Sequence, residues 1–240
     1  MVWGGILIAA ILRSFTGFGF ALTAVPIFSM FLSPVQSAVL CVTLSLGIGV
    51  ITLPTYWDKN CFKPLIPLLL LTFIGTPLGA LLLINLPLRF IKISIGICVV
   101  ISCFFLVFCR PQKTQSQTFR PITGSIAGLL SGLLNGAFAI PGPPIIIYVM
   151  ATEIEPMRTR SMMITFFTLS SVLALTTYIL NGFVTLQSIY LFLFSLPVMC
   201  LGDKLGFLLL KRFGTTLYRR LSFMTLFVIG VVSLTQAFRV

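Results

Sequence analysis

The chain reads as an all-α polytopic membrane protein made of two pseudo-symmetric repeats, each a Gly/Pro-broken first segment followed by three transmembrane helices. Three observations predict this. Of 240 residues, 58% are hydrophobic and only 8% charged, whereas a soluble domain carries about 25% charged residues. Several apolar runs reach the ~20 residues needed to cross ~30 Å of hydrocarbon, and they are continuous rather than alternating, which excludes a β-barrel. Finally, Ser14–Met30 (SFTGFGFALTAVPIFSM) and Ser131–Tyr148 (SGLLNGAFAIPGPPIIIY) are apolar yet interrupted by glycine and proline. Proline removes a backbone donor and clashes with the preceding turn, and glycine weakens what remains. In lipid, broken backbone survives only where protein or a water-filled cavity satisfies it, so both stretches are candidate binding sites.

Taken in order, Met1–Leu32 is one apolar stretch interrupted around Arg13–Gly19. As a single helix it would run ~48 Å at 1.5 Å per residue, so it must tilt, break or fold back. No cleavable leader is evident, and this segment is expected to stay in the protein. Pro34 opens a second segment, Val35–Tyr56. Asp58, Lys59 and Lys63 mark a loop before the third segment, Pro64–Ile84. Asn85–Pro87 turns the chain into Phe90–Cys109. The polar stretch Arg110–Arg120 (RPQKTQSQTFR) reads as a linker, giving a first repeat over 1–109 and a second over 121–240. Pro121–Met150 contains the second break. Glu153, Glu155, Arg158 and Arg160 then form a polar loop before Met157–Leu180, Leu186–Leu210 and Leu221–Phe238.

The halves match in the order of their features. Aligning Pro26 on Pro144 places Gly17–Gly19 on Asn135–Ala137, Pro34 on Pro156 after a small insertion, and Lys59-Asn60 on Asn181-Gly182. Gly75 then meets Gly202, and Leu78-Gly79 meets Leu205-Gly206. Such duplication is common in secondary transporters, whose sites lie at the repeat interface.

Charge tests the topology. If all eight segments cross once, Lys59, Lys63, Arg110, Lys113, Arg120 and Arg239 lie on one side. Arg89, Lys92, Arg158, Arg160, Lys211, Arg212, Arg219 and Arg220 then lie on the other, six against eight. If the first and fifth segments are re-entrant, one side keeps Arg89, Lys92 and Arg239 and the other holds the remaining eleven, as the positive-inside rule requires. The re-entrant arrangement makes the repeats inverted, with both termini outside; eight plain crossings are the rival.

The balance of 16 Lys+Arg to 4 Asp+Glu, with no His, invites a nucleic-acid reading. The basic residues, however, sit in short loops between apolar runs, as cytoplasmic loops do; no nucleic-acid partner is expected, and the cell (inner) membrane is the expected location. Without His, with scattered cysteines and no C-x-x-C pair, no metal or cofactor is expected. No paired carboxylates and no G-x-x-x-x-G-K-[ST] loop are present, so neither an enzyme nor the ATP-hydrolysing part of a pump is expected.

At Gly17-Phe18-Gly19 followed by Pro26, at Thr43-Leu44-Ser45, and at Gly128, Gly132, Gly136, Pro144 and Arg158, the chain resembles the sulfite exporter TauE/SafE-type family of membrane permeases. The resemblance covers nearly the whole chain. Where the family usually carries a longer glycine run, Phe20 and Ala21 stand here. It implies passage of a small sulfur-containing or organic anion, such as sulfite or an organosulfonate.

An anion site within a membrane needs donors and positive potential, which helix amino termini supply. A broken helix restarts in mid-membrane, and glycine lets backbone approach closely. Gly17, Gly19, Asn135, Gly136 and Gly142 are therefore expected to bind substrate; the same glycines would also permit tight helix packing. Arg13 is a guanidinium that could grip the anion's oxygens through two parallel hydrogen bonds, or snorkel to the interface. Ser14, Thr16, Thr43, Ser45 and Ser131 could orient the substrate, although such hydroxyls often bond their own helix; Thr165 and Thr168 belong to the same group. Asp203 is the candidate coupling carboxylate, read alternatively as a structural pair with Lys204. Together with these candidate residues, the resemblance implies an exporter of a small anion bound near the midplane between the two breaks. An anion channel and a non-transport membrane subunit acting through its basic loops are the alternatives, and homo-oligomerisation is left open.

Overall fold

The computed structural model describes residues 2–16, 20–57, 62–87, 90–91, 93–97, 101, 121–153 and 155–213. Among these residues there are helices, a short 3₁₀ turn at Lys63–Leu65 and connections, with no strand. We number the helices α1 Val2–Thr16, α2 Phe20–Phe28, α3 Pro34–Tyr56, α4 Ile66–Asn85, α5 Pro121–Phe138, α6 Gly142–Thr152, α7 Pro156–Leu180 and α8 Leu186–Phe213. Four of them are long and apolar enough to cross a membrane, over Pro34–Tyr56, Ile66–Asn85, Met157–Leu180 and Leu186–Leu209. The segments predicted at Arg110–Arg120 and Leu221–Phe238, and most of Phe90–Cys109, lie outside the described residues.

The two broken segments are each divided into a pair of short helices whose arms lie side by side. A Cβ added to Gly5, near the start of α1, would meet Ile27 at the end of α2, 2.5 Å away. One added to Gly124, near the start of α5, would meet the Tyr148 hydroxyl near the end of α6, at 3.1 Å. Helices too short to cross thus fold back on themselves. The chain leaves the first pair through a capping box, in which the Ser33 hydroxyl accepts from the Gln36 N–H and the Gln36 side chain accepts from the Ser33 N–H. Pro34 occupies the first turn of α3, where its missing N–H costs nothing.

Helix contacts are close where glycines recur every fourth residue. Gly75 and Gly79 of α4 lie against Leu129, Gly132, Leu133 and Ala137 of α5. From the other side, a Cβ on Gly136 would fall on the Thr76 carbonyl oxygen. At this separation the Thr72 hydroxyl reaches the Gly128 carbonyl of the neighbouring helix at 3.0 Å. Gly202 and Gly206 of α8 pack in the same manner against Leu7, Ala10, Ile11 and Ser14 of α1. Lipid tails are as apolar as leucine, so close van der Waals packing of this kind, rather than exclusion from water, holds such helices together.

Between these pairs α3 packs on α7, with Gly49 admitting Thr168. The Ser161 hydroxyl near the start of α7 donates to the Tyr56 carbonyl at the end of α3. At the opposite end, Gln36 and Gln187 are in hydrogen-bond reach at 3.5 Å. The outer faces of α4 (Leu70, Phe73, Ile74, Leu78) and α8 (Leu193, Phe194, Leu201, Leu208) are exposed and apolar, a surface suited to hydrocarbon.

Candidate functional site

Residues beside both breaks line one small cavity of about 40 Å³. Phe20, Ala21 and Leu22, the first turn of α2, line it from one side. Pro141 and Gly142, at the amino-terminal end of α6, line it from the other. Arg13, Ser45, Asn135, Thr168 and Ser171 contribute the polar wall, and Val42, Ala139 and Phe167 much of the apolar one. The first-turn N–H groups of a helix lack intrahelical acceptors, and the dipole adds roughly half a positive charge. In α6, however, Pro143 and Pro144 remove two of those donors. The first turn of α2 contains no proline, so Phe20, Ala21 and Leu22 all keep their N–H groups, while α6 offers its dipole and the Gly142 amide.

The tip between α5 and α6 is held by side chains from both its arms and from α7. Ala139 adopts a left-handed φ of 57°, unusual for a residue with a Cβ. It lets Ala139 N–H close on the Asn135 carbonyl (2.9 Å) and Ile140 N–H on that of Leu134 (3.2 Å). The Ser131 hydroxyl donates to the Pro141 carbonyl, tying α5 to the start of α6. The Tyr178 hydroxyl of α7 lies 3.1 Å from the Asn135 carbonyl and 2.9 Å from that of Gly136. These carbonyls form the negative end of α5; covering them leaves the positive end of α6 as the dipole facing the cavity.

Arg13 lies at the junction of this cavity with a second, larger one of about 370 Å³, and among the described residues only Arg13 lines both. Its side chain is 10% exposed. Nη1 approaches Asp203 Oδ1 at 3.4 Å and Nη2 approaches Thr52 Oγ1 at 3.4 Å. Burial on this scale rules against the snorkelling alternative. Arg160 reinforces the junction: its Nη2 donates to the Ser14 carbonyl at 2.8 Å, and its guanidinium stacks 4.7 Å from the Tyr56 ring centroid.

Of the sequence candidates, Arg13, Ser45, Asn135, Gly142 and Thr168 come together around the small cavity. Ser14 and Asp203 lie on the larger one, where the Ser14 hydroxyl donates to the Asp203 carbonyl at 2.8 Å. Ser131 acts on the tip rather than lining either cavity. Gly136 is packed against the α4 backbone, the close-packing alternative for these glycines. The Thr43 hydroxyl bonds the Val39 and Leu40 carbonyls of its own helix and lines neither cavity. Gly17, Gly19 and the Thr16 side chain lie outside the described residues. Two readings are corrected. Asp203 pairs with Arg13, not with its exposed neighbour Lys204, because successive residues of a helix point in different directions. Arg158 and Arg160 belong to the first turns of α7, not to a loop, since Pro156 starts that helix before them.

Several contributors carry no sequence signal of their own. Tyr178 sits in the last turn of α7, and Thr52 and Tyr56 look like the ordinary end of a crossing helix. Arg160 had a legible trace: an arginine followed by the apolar run of α7 faces the bundle more often than a loop charge does.

Comparison with known families places residues 2–233 within the family model described as sulfite exporter TauE/SafE. No curated protein and no solved structure matches the chain.

Proposed function

The chain belongs to the sulfite exporter TauE/SafE family, and from that premise we propose that it is a secondary carrier exporting a small anion, sulfite or an organosulfonate, across the inner cell membrane. The observation that carries the reading is the convergence of two helix amino termini, one from each half, on a single cavity beside Arg13. Anion coordination would come from the α2 amides, the Gly142 amide, Asn135, Ser45 and one face of the Arg13 guanidinium. The cavity's 40 Å³ is about three times the ~10–15 Å³ that a single water needs on the same measure. A compact oxyanion such as sulfite therefore suits this closed form better than a bulky sulfonate.

The halves are read as inverted repeats over 1–109 and 121–240, joined by the linker 110–120. Support comes from the two folded-back helix pairs and from the equivalent glycine contacts of α4 with α5 and α8 with α1. The first pair leads into the start of α3, whereas the start of α7, after the second pair, meets the end of α3 at Tyr56. Counting charges on that arrangement puts the basic loops together on the Tyr56 side, the cytoplasmic side by the positive-inside rule. Transport would follow from one repeat moving against the other around the fixed site. The membrane potential would drive an anion outward with ~2.3 kcal/mol per charge per 100 mV.

The test is binding. Purified protein is heated with a panel of small anions, and sulfite should raise its melting temperature in the wild type and not in Arg13→Gln. A panel in which no sulfur anion stabilises the wild type would remove the substrate from this reading.

A further inference from the structure

We infer that the larger cavity is a second oxyanion-binding station, which the anion occupies before it reaches the small cavity; this rests on the carrier reading above. The cavity is lined by three cations, Arg13, Arg160 and Lys204, against one carboxylate, Asp203. Its volume of about 370 Å³ leaves room for an anion that keeps part of its hydration shell, which the 40 Å³ cavity does not.

Arg160 is built for the purpose. Its Nη2 is anchored on the Ser14 carbonyl and its face on Tyr56, so the guanidinium is held in place. Its Nε is buried and finds no hydrogen-bond partner among the described residues. A donor left unpaired in this way is costly unless a ligand takes it up. Tyr56 accepts the cation through its ring face and the Ser14 carbonyl bonds only one of its N–H groups, so neither neutralises the charge.

Arg13 belongs to both stations, and the 3.4 Å contacts to Asp203 and Thr52 are long for charge-assisted hydrogen bonds. An arriving oxyanion competes with the Asp203 carboxylate for the same guanidinium. Transfer inward is then an exchange of anions on Arg13, with the two stations occupied in alternation.

The stations are separated by filling one. Ser45→Leu places a larger side chain in the small cavity, and Ala21→Phe does so from α2 should the first variant fail to fold. Sodium sulfite is titrated by calorimetry into each protein in nanodiscs of zwitterionic lipid. The filled protein is expected to bind sulfite still, at least tenfold more weakly than wild type. Adding Arg160→Gln to it should abolish that binding, and Arg160→Lys should retain part of it. If the filled protein binds nothing while the wild type binds, the second station is wrong and the carrier reading stands. If the wild type also binds nothing, both fall. Residual binding indifferent to Arg160→Gln overturns the station, as does co-purification of an anionic lipid that sulfite does not displace, which assigns the cations to a headgroup.

Discussion

Arg13 and Asp203, 190 positions apart in the chain, meet with Nη1 and Oδ1 3.4 Å apart at the junction of two cavities. Each would be costly alone at this depth, and each makes the other tolerable. Removing the cation strands the anion; Asp203 keeps 24% of its side chain exposed on the larger cavity, so the cost falls below the about 3–5 kcal/mol typical of a fully buried pair. Arg13→Gln is therefore expected to lower the melting temperature, and Asp203→Asn in the same molecule to restore most of it. Sulfite binding should stay lost in the double variant. Restored binding there would show that Arg13 acts only by balancing Asp203.

Asp203→Asn alone should have the opposite effect on the ligand. With its internal competitor gone, Arg13 is free to hold the substrate, and sulfite affinity is expected to rise about tenfold, equivalent to about 1.4 kcal/mol. Turnover in proteoliposomes should fall, since a tighter site releases more slowly. Unchanged or weaker binding would remove Asp203 from the exchange.

Tyr178→Phe deletes one oxygen and leaves the packing in place. The Gly136 carbonyl then loses its hydroxyl partner, while the Asn135 carbonyl keeps the Ala139 N–H; one unsatisfied buried group costs about 1–3 kcal/mol. Thermal unfolding should register that loss, and titration should show weaker sulfite binding, because the negative end of α5 is uncovered beside the cavity.

Gly136→Leu is expected to abolish folding rather than binding alone. Any Cβ there falls on the Thr76 carbonyl oxygen, which is backbone and cannot rotate away. Gly4→Ala, with nothing within 4 Å of the added carbon, is the matched control and should purify like wild type. Monodisperse Gly136→Leu protein with normal thermal stability would contradict the close approach of α4 and α5.

Topology can be read by labelling single cysteines in a cysteine-free background with an impermeant maleimide. Ser33 and Thr185 should react from outside intact cells, and Trp57 and Glu155 only after permeabilisation. Labelling of Ser33 and Trp57 from the same side would overturn the inverted arrangement.

Much of the architecture could be read without coordinates. Apolar run lengths locate the four long helices, because hydrocarbon thickness imposes a minimum that few sequences meet by accident. Glycine and proline mark where the backbone breaks, since the penalties of those residues are local. Which side chains face the small cavity is another matter. Ser45 and Thr43 are two residues apart on one helix, and rotation about its axis puts the first on the cavity and the second on its own backbone. Arg13 announces itself because a charge in lipid must have a reason. Thr52 does not, since a threonine hydroxyl in an apolar helix is as easily satisfied by the preceding turn, where this one also bonds the Ile48 and Gly49 carbonyls; nor does Tyr178, whose phenol acts on a different helix, α5. The Arg13–Asp203 pairing depends on how α1 docks against α8, a long-range fact that spacing along the chain does not encode.

The docking of α1 along α8, through Gly202 and Gly206, has a consequence for how the protein is made. On the ribosome α1 emerges nearly two hundred residues before α8. Until α8 arrives, the first hairpin carries Arg13 without its carboxylate, and Leu7, Ala10 and Ile11 without the glycine groove they pack in. A ribosome stalled before residue 200 should therefore leave a product that is degraded or extracted with ease.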